Sequence, residues 1–257
     1  RRVSLKNAFA YSNNVVFGKA AIQNTSGLSM YKTAKEFGFN QKLMNIVDLS
    51  ESQFNMPEDQ YNLAELASGF NKQTMISPVH AAVLSSVVAN EGEMISPYIV
   101  KEITKESTAH TSASDHFSWK VRPNKTRALT KESAQELMEM MERTVERGTA
   151  RRYFRRMRYG LKSKLRIGGK TGTITGGVPH GRRDWFSAYA LPEGQSADTG
   201  ISLSVMNINL EKWYVKATYL SRRIIEYYYQ NVRPEVKQTN ISKSTKKNGP
   251  TGPKNGA

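Results

Sequence analysis

The 257-residue sequence predicts an α+β fold in which helices come first and an antiparallel sheet follows. Two patterns carry that expectation. Apolar residues recur at helical spacing between caps, as where Thr130 is followed by Leu137, Met141 and Val145 and then by Gly148. Beyond residue 164 the pattern changes, and 165–175, 184–192 and 200–208 read as three strands with short connections, which favours antiparallel neighbours.

The elements follow in order. Residues 3–22, VSLKNAFAYSNNVVFGKAAI, are helical at both ends, with Leu5, Ala8 and Phe9 on one face. Ser12, Asn13 and Asn14 interrupt them, because short polar side chains compete for backbone hydrogen bonds and three together mark a helix junction. Residues 30–37 form a short helix stopped at Gly38. In MISPVHAAVLSSVVAN, Ser77 caps an apolar helix, Pro78 takes its first turn and Gly92 lies just beyond its end. WYVKATYLSRRIIEYYYQN is a closing helix ended by Pro234, with Tyr227, Tyr228 and Tyr229 divided between helix face and interface. The polar, Lys-rich stretch EVKQTNISKSTKKNGPTGPKNGA after it has the composition of a disordered tail.

Composition excludes several classes. There is no cysteine, hence no disulfide and no thiolate metal site, and no apolar run long enough to span a bilayer. The chain opens Arg-Arg-Val with no leader pattern and reads as a piece of a longer protein. Its net charge of +16 is local. Residues 1–142 carry 15 basic and 15 acidic side chains, whereas 143–170 carry 11 basic and one acidic, and 234–257 five basic and one acidic. Tyr153, Phe154 and Tyr159 among these arginines would suit phosphates or bases. The concentration of charge in one stretch favours a solvated segment near an anionic substrate, polymer or membrane surface, and no nucleic-acid partner is expected.

The stretch RIGGKTGTITGG places a lysine among glycines and alternating hydroxyls. A phosphate loop would need glycine five residues before Gly169, where Lys164 stands. On a strand, Lys170 and Gly172 face one way, Thr171 and Thr173 the other. Gly172 removes a side chain, so a ligand or another backbone can approach. A cation, hydroxyls and backbone N–H groups suit a peptide carboxylate laid along the strand as an added edge. A Gly-rich edge strand whose lysine blocks aggregation has the same letters.

Ser12-Asn13-Asn14 lies well upstream of Lys170-Thr171-Gly172. Ser-x-Asn and Lys-Thr-Gly are two of the three signatures of penicillin-binding serine acyl-transferases. With them the chain resembles the transpeptidase domain of penicillin-binding proteins. LASGFNKQTMISPVHAAVLSSVVANEGEMISPYIV is similar to that family's Gly-rich turn, Ser-Pro helix start and following AN-x-G stretch, GTARRYF to the Gly-Thr segment before its Lys-Thr-Gly strand, and DWFSAYALP to the strand after it. The resemblance covers residues 4 to about 230 and implies a β-lactamase/transpeptidase-like fold. That fold has a five-stranded antiparallel sheet flanked by helices, plus an all-helical region, with the active site at their boundary. It implies that 1–233 are the C-terminal part of such a domain, with 234–257 as the basic tail. The first two strands and the nucleophile helix would precede residue 1. One side of the sheet would then be bare, and the chain poorly stable alone.

The same resemblance implies the chemistry. The family's nucleophilic serine lies in a Ser-x-x-Lys motif upstream of Ser-x-Asn, and this chain starts too soon to include it. SMYK at Ser29–Lys32 follows Ser-x-Asn, and STKK at Ser244–Lys247 lies in the tail, so neither fits. Ser12 would relay protons, Asn14 would hydrogen-bond the substrate amide, and Lys170 would supply positive potential. Thr171 and Thr173 would bind the substrate carboxylate beside Gly172, and the Thr173 N–H would form half of an oxyanion hole. A twist or bulge would be needed to gather Lys170 and both threonines in one site. The implied partners are peptidoglycan stem peptides ending in D-Ala-D-Ala, β-lactams and proteins of the cell-wall synthesis complex, at the extracytoplasmic face of the bacterial membrane. No metal or cofactor is implied. A D,D-carboxypeptidase, a β-lactamase and a non-catalytic penicillin sensor share the triplets. His180 reads as an exposed loop histidine and His80 as structural.

Overall fold

The computed structural model describes residues 2–44, 47–104, 118–195, 197–210, 212 and 215–234. The expected tail from 235 lies outside them. Ser4 caps α1 (Leu5–Ala10) by accepting from the Asn7 N–H, and Ala8 and Ala10 are buried while Leu5 stays exposed. The helix closes when the Ser12 N–H donates to the Phe9 carbonyl at 3.1 Å and the Asn13 N–H to the Ala8 carbonyl at 2.8 Å. Ser12 is left-handed there, with φ 52°. Asn13 at once caps α2 (Asn14–Asn24), its side chain accepting from the Val16 N–H. The junction thus uses Ser12 as the turn and Asn13 as the cap.

Ser26 caps α3 (Gly27–Glu36), which ends before the left-handed Gly38. An unpredicted helix, α4 (Gln60–Ser68), is capped by Asp59, closed by the left-handed Gly69, and packs on α2. Ser77 caps α5 (Pro78–Ala89), with Pro78 in its first turn. Two small antiparallel ribbons follow, β1 (Glu93–Ile95) with β4 (Lys125–Arg127) and β2 (Glu102–Thr104) with β3 (Ser118–Lys120). Thr130 then caps α6 (Lys131–Glu146), whose Met138, Met141 and Val145 point inward. Two single turns, α7 (Arg151–Phe154) and α8 (Tyr159–Lys162), lead into the sheet.

The main sheet has the order β5 (Leu165–Gly176), β6 (Gly181–Pro192), β7 (Ile201–Asn209), antiparallel throughout. On its first face Ile167, Phe186, Ala188 and Leu203 meet Phe154, Met157 and Leu161 together with Ile225 of α9 (Ala217–Tyr227). Beyond α9 the chain makes a π-helical turn, Tyr228–Val232. On the second face Tyr189 packs against Val88 and Ala89 of α5 and Met138 and Met141 of α6.

The expected bare face is therefore not found: α5 lies against β6 and β7, and α6 against β5. The reason is in the composition of α5. His80, Ala81, Val83, Val87, Val88 and Ala89 are all buried, so the helix serves the sheet and the helical region at once. Among the described residues, the outer edges of β5 and β7 remain unpaired.

Candidate active site

Strand β5 explains its own glycines. A Cβ on Gly168 or Gly169 would collide with the rings of Tyr189 and Phe186, which pack on opposite faces of the sheet. Gly172 differs: the nearest atom to its missing Cβ is Trp185 Cβ, at an ordinary 3.5 Å. Internal packing accounts for the first two glycines and leaves the third unexplained. The pairing of β5 with β6 runs residue for residue from Leu165↔Pro192 to Gly176↔Gly181. It contains no bulge, so Lys170 and the hydroxyls of Thr171 and Thr173 start on opposite faces.

Lys170 lies opposite Ser187, which lies opposite Ser204, and the two serine hydroxyls bond at 2.9 Å. The apolar second face turns polar at this row, one register step beyond Tyr189. Here Lys170 Nζ donates to Ser12 Oγ at 2.5 Å and to its neighbour's carbonyl, Thr171 O, at 2.8 Å. The ammonium also stands 5.6 Å from the centre of the Phe9 ring. Burial pushes its pKa down to about 8, since low-dielectric surroundings penalise the charged form. Ser12 and Lys170, 158 residues apart, thus form one hydrogen-bonded pair.

The end of α6 is the bracket that makes this contact. Arg143 donates from Nε and Nη2 to Asn7 Oδ1 at 3.2 and 3.1 Å, and Lys6 pairs with Glu139, so α1 is fastened along α6. Arg166 of β5 pairs with Glu142 of α6 at 2.8 Å, fastening the strand to the same helix. Burial holds the Glu142 carboxyl above its ordinary value despite that arginine. Between them the Thr149 N–H donates to the Ala10 carbonyl at 3.1 Å, while Thr149 Oγ1 shares a 2.7 Å hydrogen bond with Thr171 Oγ1. Thr149 therefore touches both halves of the site. The Gly-Thr letters of GTARRYF were its only sequence signal.

The other singled-out residues are placed as follows. Asn14 opens α2, with an exposed side chain and a carbonyl that accepts from Ser68 Oγ at 3.1 Å. Thr173 is exposed and lies opposite Asp184, a buried carboxylate that accepts from the Ala217 N–H at 2.7 Å. Ser29 stands on the exposed side of α3 and bonds neither Ser12 nor Lys170. His180 is exposed in the β5–β6 turn, and His80 is buried with Nε2 2.7 Å from the Phe37 carbonyl. Burial lowers the His80 pKa. Ser244–Lys247 falls outside the described residues. No group of three or more His, Cys, Asp or Glu arranged to hold a metal occurs among the described residues.

A serine and a lysine of lowered pKa are hydrogen-bonded beside a Gly-Thr strand edge, an arrangement that can pass a proton between them. The model of the penicillin-binding protein transpeptidase domain matches residues 1–208. The chain belongs to that family. No curated protein matches it significantly. Solved structures do. The D,D-transpeptidase domain of a peptidoglycan glycosyltransferase from Eggerthella lenta superposes with TM-score 0.68 at 20% identity, covering 90% of this chain and 54% of that one. Penicillin-binding protein A from Mycobacterium tuberculosis, as an imipenem acyl-enzyme, gives 0.67 at 21%, covering 87% and 47%. Penicillin-binding protein 3 from the same organism, with ampicillin, gives 0.68 at 19%, covering 90% and 51%. The fold is thus that of a penicillin-binding transpeptidase domain, and this chain spans about half the length of those structures.

Proposed function

We propose that this chain supplies the Ser-x-Asn and Lys-Thr-Gly walls of a peptidoglycan D,D-transpeptidase, with the nucleophilic serine on a preceding segment. The observation that carries this reading is the hydrogen bond from Lys170 Nζ to Ser12 Oγ. Because Lys170 donates, Ser12 keeps its own hydrogen for a partner on the open side. The missing serine attacks the carbonyl between the last two D-alanines, and its proton passes to the base of its own motif. As the C–N bond breaks, the leaving amine takes the Ser12 proton, which Lys170 replaces. An incoming stem-peptide amine attacks the acyl carbon and returns a proton along the same path, while the acyl–serine bond breaks and the serine oxygen recovers its proton from the base of its own motif.

The remaining roles rest on the resemblance to the family, and the placement of these residues is compatible with them. β5 is a sheet edge among the described residues, open to an extended peptide, and Gly172 carries no side chain to obstruct it. The Thr171 and Thr173 hydroxyls bind the terminal carboxylate, with Thr171 tilted by its bond to Thr149. The Thr173 N–H serves as half of the oxyanion hole, and Asn14 meets the substrate amide. A D,D-carboxypeptidase or β-lactamase would need a carboxylate to activate water. Two carboxylates that face β5 are engaged, Asp184 with the start of α9 and Glu142 with Arg166, which favours transfer to an amine. We place the protein at the extracytoplasmic face of the bacterial membrane, anchored by a segment outside this chain and working with cell-wall synthesis proteins. No nucleic acid and no cofactor enter this reading.

Labelling with a fluorescent penicillin tests it, applied to this chain and to one extended upstream by about 100 residues, a typical subdomain length. Labelling of the longer chain alone is expected. If a folded longer chain stays unlabelled, a penicillin-independent role replaces this one. If the short chain labels, Ser29 becomes the first serine to replace.

A further inference from the structure

The segment between the end of α6 and β5 has two sides of different character. Ala150, Phe154, Met157 and Leu161 all enter the core cluster beneath the first face of the sheet. The residues between them, Arg151, Arg152, Arg155, Arg156, Arg158 and Lys162, are all exposed. None of the six forms an ion pair among the described residues. No acidic residue occurs in sequence between Glu146 and Asp184, and Asp184 is buried. Backbone bonds fix the segment: the Arg156 carbonyl accepts from Arg222 Nη1, and the Arg158 N–H donates to Glu226 Oε1, each at 3.4 Å. Six like charges are thus held on a rigid surface against their mutual repulsion.

The choice of cation identifies the partner chemistry. Residues 1–142 hold 11 lysines and four arginines, whereas 151–162 hold five arginines and one lysine. Solvation alone would be served by lysine. The planar guanidinium fork instead matches tetrahedral and planar oxyanions through paired N–H bonds. We propose that this arginine surface docks a soluble linear polymer carrying phosphate groups along its backbone. A bilayer fits less well, because Phe154, Met157 and Leu161 point inward and leave little to insert among lipid tails. A nucleic acid fits less well because base stacking needs open rings. Tyr153 is flanked by Tyr219 at 6.4 Å and by the Arg152 guanidinium at 6.0 Å, leaving Tyr159 exposed by itself in the segment. The inference stands apart from the acyl-transfer reading and survives its failure.

Fluorescence anisotropy of labelled linear polyphosphate with the full-length protein, across a range of salt concentrations, tests it. R151Q/R152Q/R155Q/R156Q should weaken binding and reduce the slope of log K against log salt by about 3. The corresponding four-lysine variant should keep the slope and lose about tenfold in affinity. The lysine variant should keep the wild-type melting temperature and the glutamine variant should melt no lower, because the replaced side chains are exposed and removing like charges relieves their repulsion. Loss of affinity in K32Q/K35Q, on α3, equal to that in the glutamine variant would reduce the effect to net charge and overturn the proposal. Unchanged binding by the glutamine variant would do the same. Tighter binding, at equal phosphate, to phosphatidylglycerol vesicles or to single-stranded DNA would assign the surface to those partners instead.

Discussion

Gly148→Ala isolates the bracket that joins the two halves of the site. The new Cβ would lie 2.8 Å from Thr144 Cα on α6 and 2.9 Å from the carbonyl carbon of Ala10 on α1, and closer still to the Ala10 oxygen. Ordinary contact begins at 3.4 Å, and both neighbours are backbone, so no side chain can swing aside. α1 and α6 must separate by about 1 Å, an overpacking that typically costs roughly 1–3 kcal/mol. Because Arg166 and Glu142 hold β5 to α6, the strand stays with α6 while α1 moves. The Lys170–Ser12 bond then stretches from 2.5 Å toward the limit of a hydrogen bond. A displacement of that size at a reacting group costs about 10²-fold in rate. The assay is the second-order rate of acylation by fluorescent penicillin on the protein carrying its nucleophile, paired with a thermal melt. Gly160→Ala is the control, since nothing lies within 4 Å of its added Cβ. A folded G148A protein acylating within threefold of wild type would refute the bracket as the device that positions Ser12.

Three further outcomes follow from the same geometry. Thr149→Val removes the bond to Thr171 Oγ1, and acylation by carboxylate-bearing β-lactams should fall about tenfold while their methyl esters change little, as measured by competition labelling. The acylation rate should decline above pH 8 as Lys170 loses the proton it lends to Ser12, and Lys170→Met should cut the rate by about 10²–10⁴-fold and abolish that limb. His80 is held neutral by burial, with a folded pKa below the unfolded value of 6.5. The unfolded chain therefore binds the extra proton as pH falls below 6.5, and stability should drop by up to about 1.4 kcal/mol per pH unit until the folded pKa is passed. Denaturant melts of His80→Gln, which keeps a donor for the Phe37 carbonyl, should show a flatter acid limb.

What the sequence disclosed depended on how local the cause was. Ser77 with Pro78, and Thr130, cap their helices as read, because a cap is a contact between residues three apart. The three long strands showed themselves through apolar runs and short turns. By contrast α4 carries only weak signals, Asp59 at its start and Gly69 just past its end, with no apolar period strong enough to mark it. α7 and α8 had none, since single turns are held by Phe154 and Leu161 entering the core rather than by propensity. β1 to β4 are three residues each, too short for alternation to register. At the site, residue chemistry marks 12–14 as a helix junction and the Lys-Thr-Gly strand as suited to a carboxylate, and only the resemblance joins the two into one site. Strand alternation separates Lys170 from Thr171; of the twist or bulge expected to gather them, the pairing shows no bulge, and Thr149 bonds Thr171 while its N–H meets α1.

The two residues that meet at the centre are also the two that local preference argues against. Ser12 occupies the left-handed region at φ 52°, a conformation that costs a non-glycine residue about 1–3 kcal/mol. Lys170 gives up hydration without a carboxylate in return, and its fall from 10.5 to about 8 corresponds to at most roughly 3 kcal/mol below pH 8. That cost diminishes as pH rises from 8 toward 10.5, because the folded lysine has released its proton there while the unfolded one still holds it, so rising pH favours the folded state. Their mutual bond does not recover the two costs together, since a hydrogen bond involving a charged group contributes only about 1.5–3 kcal/mol net. The surrounding fastenings offset the difference: Arg143 to Asn7, Arg166 to Glu142, and Thr149 to Ala10. A stability-driven sequence would place glycine at 12 and an apolar residue at 170. That this chain carries serine and lysine there, surrounded by compensating contacts, is what the proposed proton-relay role requires of the pair.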